Sequence, residues 1–99
     1  MTRLAFHPEA LDEFEAAARY YEQQQAGLGN RFVGAVELAL DTILHAPLTW
    51  PALAQDVRRK LVRVFPYALL YSVEPDGVLV LAVMHCHQRP GYWRHRTGT

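Results

Sequence analysis

The sequence predicts an α+β fold with the element order β-α-α-β-β-β, in which a two-helix hairpin covers one face of a small, mostly antiparallel sheet. Three observations lead to this prediction. Apolar residues recur at helical spacing in two segments of the first half, whereas short runs typical of strands follow in the second half. The turn Glu74-Pro75-Asp76-Gly77 joins the last two runs as a hairpin. With 99 residues, 51% of them hydrophobic, the chain is expected to form a single domain over residues 1–99.

The first half is predicted to contain one strand and the helical hairpin. The segment from Thr2 to Phe6 is typical of a strand, and Pro8 suits the first position of the helix that follows. The apolar side of this helix consists of Ala10, Leu11, Phe14, Ala17, Ala18 and Tyr21. The opposite side is left to Asp12, Glu13, Glu15, Arg19 and Glu22. The segment from Gly27 to Asn30 interrupts the helical pattern, which resumes at Phe32 and ends before Pro47.

The second half is predicted to contain a loop and three strands. The segment from Pro47 to Gln55 is expected to be a loop held by Trp50. Strands are predicted from Val57 to Phe65 and from Tyr67 to Val73. The run from Val78 to Met84 is apolar at nearly every position, which is typical of a strand that is buried on both faces near the centre of a sheet.

The residues that follow this buried run are the candidates for chemistry or recognition. Cys86 is expected to remain in the buried part and to act as a small apolar side chain. His85 and His87 are two positions apart, so on a regular strand they share a face and serve as acid and base, as RNA contacts or as structural residues. Tyr92 and Trp93 either stack on a partner or anchor a predicted helical turn, Tyr92 to Arg96, to the core.

Neither a metal nor a cofactor is expected. His85 and His87 supply at most two metal ligands, and a third would have to come from a distant residue such as His45 or His95. The face of the sheet opposite the helices is the expected location of the site. The residues from Met1 to Phe6 lack the long apolar core of a signal peptide, and no apolar stretch approaches a membrane span, so a soluble, cytoplasmic protein is expected.

The formal net charge of zero conceals an uneven distribution along the chain. Before Val57 there are eight acidic and three basic residues, whereas from Val57 onward there are two acidic and seven basic residues. Four of these bases, Arg58, Arg59, Lys60 and Arg63, lie in the predicted strand that starts at Val57. They either form a positive face for a polyanion or an acidic partner, or are simply a solvated surface.

Several short motifs resemble those of the RelE/ParE superfamily of bacterial type II toxins, and together they extend over nearly the whole chain. The motifs are Pro8-Glu9-Ala10, Tyr20-Tyr21, Gly27-Leu28-Gly29, Arg31-Phe32, Val57-Arg58-Arg59, Phe65-Pro66-Tyr67, Tyr71 and the ending from His85 to Trp93. The resemblance implies a small β-α-α-β-β-β toxin that a cognate antitoxin protein neutralises. A homodimer and a toxin–antitoxin heterotetramer are both open as assembly states.

The resemblance leaves two targets open, because ParE-like members poison DNA gyrase and RelE-like members cut messenger RNA on the ribosome. Ala68 stands where many nucleolytic members carry an arginine, and Gln88 stands where a catalytic tyrosine would follow the histidine. Gyrase inhibition is therefore preferred. In the alternative of a ribosome-dependent endonuclease, His87, Arg63 and Arg89 would supply proton transfer and positive charge.

A third alternative is a binding module of the same fold that has lost its toxicity. In each of these cases the residues expected to contact the target or the antitoxin are Arg58, Arg59, Lys60, Arg63, His85, Arg89, Tyr92 and Trp93.

Overall fold

In the computed structural model, which describes residues 3–54 and 56–97, two helices pack on a five-stranded sheet. The elements in chain order are β1 (Arg3–Phe6), α1 (Pro8–Gln24), α2 (Leu28–His45), β2 (Ala52–Ala54), β3 (Val57–Leu61), β4 (Tyr67–Glu74), β5 (Gly77–His85) and a short 3₁₀ turn (Arg94–Arg96). The predicted α+β class is confirmed, with one additional short strand. Neither helix is long and apolar enough to cross a membrane within the described residues.

The sheet has the strand order β1-β5-β4-β3-β2, and only the β1–β5 pair is parallel. The predicted inner position of the last strand is confirmed, because β5 lies between β1 and β4. Leu70 pairs with Ala82 and Tyr71 pairs with Val80, so β5 contains a bulge between these positions. Glycine at position 77 is required by the pairing of β5 with β1 as well as by the hairpin turn, since a Cβ atom there would collide with the carbonyl oxygen of Arg3 in β1.

The helix side of the sheet holds an aromatic cluster that consists of Phe14, Tyr21, Phe32, Phe65 and Tyr67. Phe32 is its centre and is 0% exposed. Its ring centroid lies 5.2 Å from that of Phe65 and 5.1 Å from that of Tyr67, both in edge-on geometry. Edge-on aromatic pairs are favourable beyond the apolar area that they bury, so this cluster holds the helices to the sheet.

The other face of the sheet is partly covered by residues 92–97, which we call the strap. The indole of Trp93 is 2% exposed and packs in a cluster with Val57, Leu70, Leu81 and Ala82. The predicted helical turn is present as the 3₁₀ turn Arg94–Arg96. The face on which the site is expected is therefore partly covered by the strap.

Two predicted boundaries in the middle of the chain are wrong. The predicted loop from Pro47 contains β2, whose short length leaves no room for a recognisable strand pattern in the sequence. Strand β3 ends at Leu61 instead of Phe65, because the chain leaves the sheet at Val62 and turns Phe65 into the aromatic cluster. In this loop, residues 62–66, Val64 has a φ of +75°, which β-branched residues rarely adopt, and its side chain is 87% exposed. Gln55, the predicted end of the loop, lies outside the described residues, as does Thr2.

Two further expectations are corrected at the ends of elements. Helix α2 begins at Leu28, ahead of the predicted start, because the Glu22 carboxylate accepts the N–H groups of Gly27 and Gly29, each at 3.0 Å. These groups would otherwise lack partners at the start of a helix. Cys86 is exposed and not buried, because β5 ends at His85 and the chain turns away from the sheet.

Candidate functional site

Two neighbouring loops bring the candidate residues to one end of the sheet. The loop of residues 62–66 follows β3, the loop of residues 86–91 follows β5, and the Cys86 N–H donates to the Pro66 carbonyl at 2.8 Å. The first loop carries Arg63, and the second carries His87 and Arg89 beside His85. We call Arg63, His85, His87 and Arg89 the basic end. All four are exposed, and within residues 3–54 and 56–97 neither arginine forms a salt bridge.

The two histidines do not share a strand face as expected, because His85 is the last residue of β5 and His87 lies in the following turn. They are nevertheless adjacent. The backbone N–H of His87 donates to His85 Nδ1 at 3.0 Å, and the ring centroids are 5.3 Å apart. Since Nδ1 is an acceptor, the proton of a neutral His85 ring is on Nε2. The His85 ring also lies edge-on to Tyr67 at 5.2 Å.

A cleft of about 260 Å³ lies beside the basic end, between α1, the ends of β4 and β5, and the strap. Its lining residues are Glu13, Ala16, Ala17, Tyr20, Tyr67, Val83, His85, Gln88 and Tyr92. The lining combines small apolar side chains with aromatic and polar ones, a mixture that is common in sites that bind a partner side chain. Arg63, His87 and Arg89 are not among the lining residues, so the three predicted catalytic residues do not converge in this cleft.

Two of the predicted binding residues stabilise a loop of the protein itself. Arg58 donates from Nη1 to the carbonyl oxygens of Trp50 at 2.7 Å and Leu48 at 3.2 Å. Lys60 lies with its Nζ atom 4.2 Å from the centre of the Trp50 ring, a cation–π contact. Arg59, between them in β3, is exposed and points to the opposite face of the sheet, on the side of its pairing partner Leu70.

Tyr92 and Trp93 hold the strap in place, which is one of the two roles expected of them. The Tyr92 hydroxyl donates to Glu13 Oε2 at 2.7 Å. Burial, together with this hydrogen bond to a carboxylate, raises the pKa of Tyr92 well above its usual range. Because the Trp93 side chain is almost completely buried, its ring is not available to stack on a partner while the strap is in place.

The sequence reasoning missed Glu13 and Arg96. Arg96 belongs to the positive half of the chain, but it is only 8% exposed and forms an ion pair with Glu13, from Nη1 to Oε1 at 2.8 Å. Hydrogen bonding to Glu13 raises the pKa of Arg96 above its usual value. The sequence pattern predicts Glu13 on the solvent side of α1, yet Glu13 follows the buried Ala10 by three positions and precedes the buried Ala17 by four. This spacing was a signal that Glu13 faces the sheet.

The described part of the chain contains no group of three or more His, Cys, Asp or Glu side chains that could hold a metal ion. The exposed arginines of the basic end, Arg63 and Arg89, are suited to binding acidic groups, and the imidazole rings of His85 and His87 are groups that can transfer protons.

Comparison with known proteins identifies the family. The sequence model described as "ParE toxin of type II toxin-antitoxin system, parDE" matches residues 4–90. A solved structure described as "Chromosomal ParDE TA system from P. aeruginosa" is similar, with a TM-score of 0.62 at 14% sequence identity, over 86% of this chain and 96% of that chain. At this identity the structural likeness shows the fold alone. No curated protein sequence matches the chain. Since the family match extends over most of its length, the chain belongs to the ParE toxin family of type II toxin–antitoxin systems.

Proposed function

We propose that this protein is a toxin that inhibits DNA gyrase and is neutralised by a cognate antitoxin. The observation that carries the proposal is the basic end, which offers two exposed arginines without salt-bridge partners among the described residues. Such a surface is suited to binding a protein with acidic side chains. Inhibition by binding requires contact area and charge, and it requires no proton transfer.

Ala68 supports gyrase over messenger RNA as the target. This residue occupies the position at which many nucleolytic relatives of the superfamily carry an arginine, and here it is a buried alanine near the start of β4, where it pairs with Leu61 and Met84. An alanine there supplies neither the positive charge nor the hydrogen-bond donors that would stabilise a pentavalent phosphate. This chain therefore lacks one cation of the nucleolytic set at this position.

The antitoxin belongs to the same proposal. Membership of the family implies a cognate antitoxin, and we place acidic residues of that partner against Arg59 and Arg63, the exposed cations of β3 and the loop after it. Antitoxin and target would then compete for Arg63. Because steering by exposed charges is screened by salt, association with the antitoxin is expected to slow as ionic strength rises.

The test uses purified components. Wild-type protein is expected to inhibit DNA supercoiling by gyrase and to leave ribosome-bound messenger RNA intact. Arg89→Ala is expected to weaken inhibition by roughly tenfold, the usual effect of removing an interface arginine that contributes strongly to binding. Arg3→Ala is the matched control, because Arg3 is an exposed arginine at the opposite end of the sheet, paired with Asp76 at 3.1 Å. Equal effects of the two substitutions would contradict a site at the basic end.

A second candidate, the ribosome-dependent endonuclease, is favoured by one observation, the 5.3 Å separation of the His85 and His87 rings. In that case His87→Ala should reduce cleavage of messenger RNA by about 10²–10⁴-fold with antitoxin binding intact. Under the gyrase proposal the same substitution is tolerated. Cleavage of messenger RNA without any effect on supercoiling would replace the proposal by this alternative. If neither assay shows activity while an antitoxin binds, the protein is a non-toxic binding module.

A further inference from the structure

Strand β5 has a neighbouring strand along only the first part of its outer edge. β1 ends at Phe6, which pairs with Val80, so among the described residues no strand lies beside residues 81–85 on that side. Two backbone groups in this segment are instead bonded by side chains. The Val83 N–H donates to Glu13 Oε1 at 3.0 Å, and the Leu81 carbonyl accepts from Arg96 Nη1 at 3.1 Å. Side chains therefore close an edge that would otherwise be open to another strand.

The Glu13 carboxylate is the centre of this closure. Arg96 donates to both of its oxygens, from Nη1 at 2.8 Å and from Nη2 at 2.9 Å. Tyr92 and Val83 donate the remaining two hydrogen bonds, so the carboxylate accepts four in total. A bidentate ion pair restricts both distance and orientation, so Glu13 determines where the strap lies.

The strap in turn determines the position of the loop that carries His87 and Arg89. This loop, residues 86–91, begins after His85, which pairs with Tyr67 in the sheet. It ends at Tyr92, which Glu13 holds. The Tyr92 N–H also donates to the Arg89 carbonyl at 3.3 Å. Both ends of the loop are thus fixed, one by the sheet and the other by a carboxylate on α1.

We propose that Glu13 is a positioning residue for the basic end. It holds the loop of residues 86–91 in the arrangement that the target binds, although Glu13 is not itself part of the basic end. The inference rests on the proposed function for the identity of the target, gyrase. Without Glu13 the loop would have to be ordered at the moment of binding, and that entropic cost would reduce affinity.

The test compares Glu13→Gln with Glu15→Gln in the full chain. Glutamine keeps the length of the side chain and an acceptor for the Val83 N–H, but it removes the charge that binds Arg96. Gyrase affinity of the Glu13→Gln variant should fall by roughly tenfold. The loss should lie in the dissociation rate, because the cations that steer association remain. Glu15, exposed on the other side of α1, loses the same charge in the control variant and should bind as wild type does.

Binding is measured at a temperature at which circular dichroism shows both variants to be fully folded. If Glu13→Gln lowers the melting temperature but binds gyrase as tightly as wild type per folded molecule, Glu13 is only structural and the proposal is wrong. Should that variant not fold, Tyr92→Phe removes one donor to the same carboxylate and keeps Arg96 in place. It should weaken binding in the same direction by a smaller factor, and unchanged binding would overturn the proposal.

Hydrogen exchange separates this inference from the proposed function. The backbone N–H groups of Gln88 and Tyr92, which donate to the His85 and Arg89 carbonyls, should exchange faster in Glu13→Gln than in Glu15→Gln. This measurement needs no gyrase. If wild-type protein does not bind gyrase, the proposed function fails while the exchange data still decide the role of Glu13. Unchanged exchange in Glu13→Gln would exclude positioning for any target.

Discussion

On one face of the sheet, two helices of 17 and 18 residues bury an aromatic cluster, whereas on the other face the strap covers the apolar residues with the indole of Trp93. The helix side is held mainly by apolar area and ring packing. The strap is held by one large apolar side chain, by ion pairs of Arg96 with Glu13 and Glu9, and by a hydrogen bond between His95 and Glu9. The comparison indicates a division of roles, in which the helix face maintains the fold and the strap face sets the geometry of the basic end.

The largest expected effect is on the helix face. Phe32→Ala should lower the free energy of unfolding by about 4–5 kcal/mol, because it removes a fully buried ring and leaves a cavity that neighbouring rings cannot fill. This change in the free energy of unfolding is measured by urea denaturation monitored by circular dichroism. Leu38→Ala in the same helix is the control, since Leu38 is exposed and its loss should cost less than about 0.5 kcal/mol. Similar losses of stability from the two substitutions would show that the aromatic cluster does not make the main contribution to the stability of the fold.

A smaller effect is expected on the strap face. Trp93→Ala should cost about 3 kcal/mol, at the low end for a buried aromatic residue, because the strap can detach while the helix face stays packed. The same unfolding experiment applies, with the exposed Leu61→Ala on that face as control. A loss as large as that of Phe32→Ala would mean that the two faces form one cooperative core, and the proposed division of roles would then fail.

The smallest expected effect on stability at neutral pH comes from ionisation of the tyrosines on the helix face and in the strap. Burial raises the pKa of Tyr21 and Tyr67 on the helix side and of Tyr92 in the strap. A raised pKa in the folded state means that the protonated form is favoured there, so this contribution to stability is complete below the unfolded value of about 10. It is lost as the pH rises from about 10 through the folded values.

The tyrosine contribution to the free energy of unfolding should therefore be constant from about pH 7 to pH 9 and decrease above about pH 10. Tyrosinate absorbance, measured over the same pH range, should rise as the fraction of unfolded protein rises. Tyr92→Phe should make the alkaline decline less steep, since it removes the ionisable group that Glu13 binds. Ionisation of all tyrosines at their ordinary pKa in the folded protein would contradict the burial of these hydroxyl groups.

The parts of the fold that could be predicted from sequence are those with a repeating pattern. Helices α1 and α2, the hairpin of β4 and β5 and the inner position of β5 all follow from apolar periodicity and from the Glu74-Pro75-Asp76-Gly77 turn. The strand β2 could not be predicted, because three residues are too few for a pattern. The end of β3 was missed because Phe65 continues the apolar alternation although the backbone has already left the sheet.

The basic end was predicted in part. His87 and Arg89 are candidates because they follow the buried run of β5, and Arg63 is a candidate because of its positive charge; the structure brings the three to the same end of the sheet. Arg58 binds the Trp50 carbonyl, whereas Arg59 is exposed on the other face of the sheet. This difference could not be predicted, because the sequence does not show which face of the strand meets a loop of the protein itself. The Glu13–Arg96 pair joins positions 83 residues apart, and such contacts leave no local pattern.

This distance along the chain also has a kinetic consequence. Closing a loop of 83 residues directly is costly, but pairing of β1 with β5 shortens it to the seven residues from Phe6 to Glu13 and the sixteen from Val80 to Arg96. Because closure entropy depends logarithmically on loop length, the free-energy cost of bringing Glu13 to Arg96 is lower by about 1 kcal/mol once β1 and β5 have paired. We therefore expect the strap to dock after β1 and β5 have paired, late in folding. Contacts that form late slow unfolding without accelerating folding, so Trp93→Ala should act on the unfolding limb of the chevron, and a slower folding limb would place strap docking early.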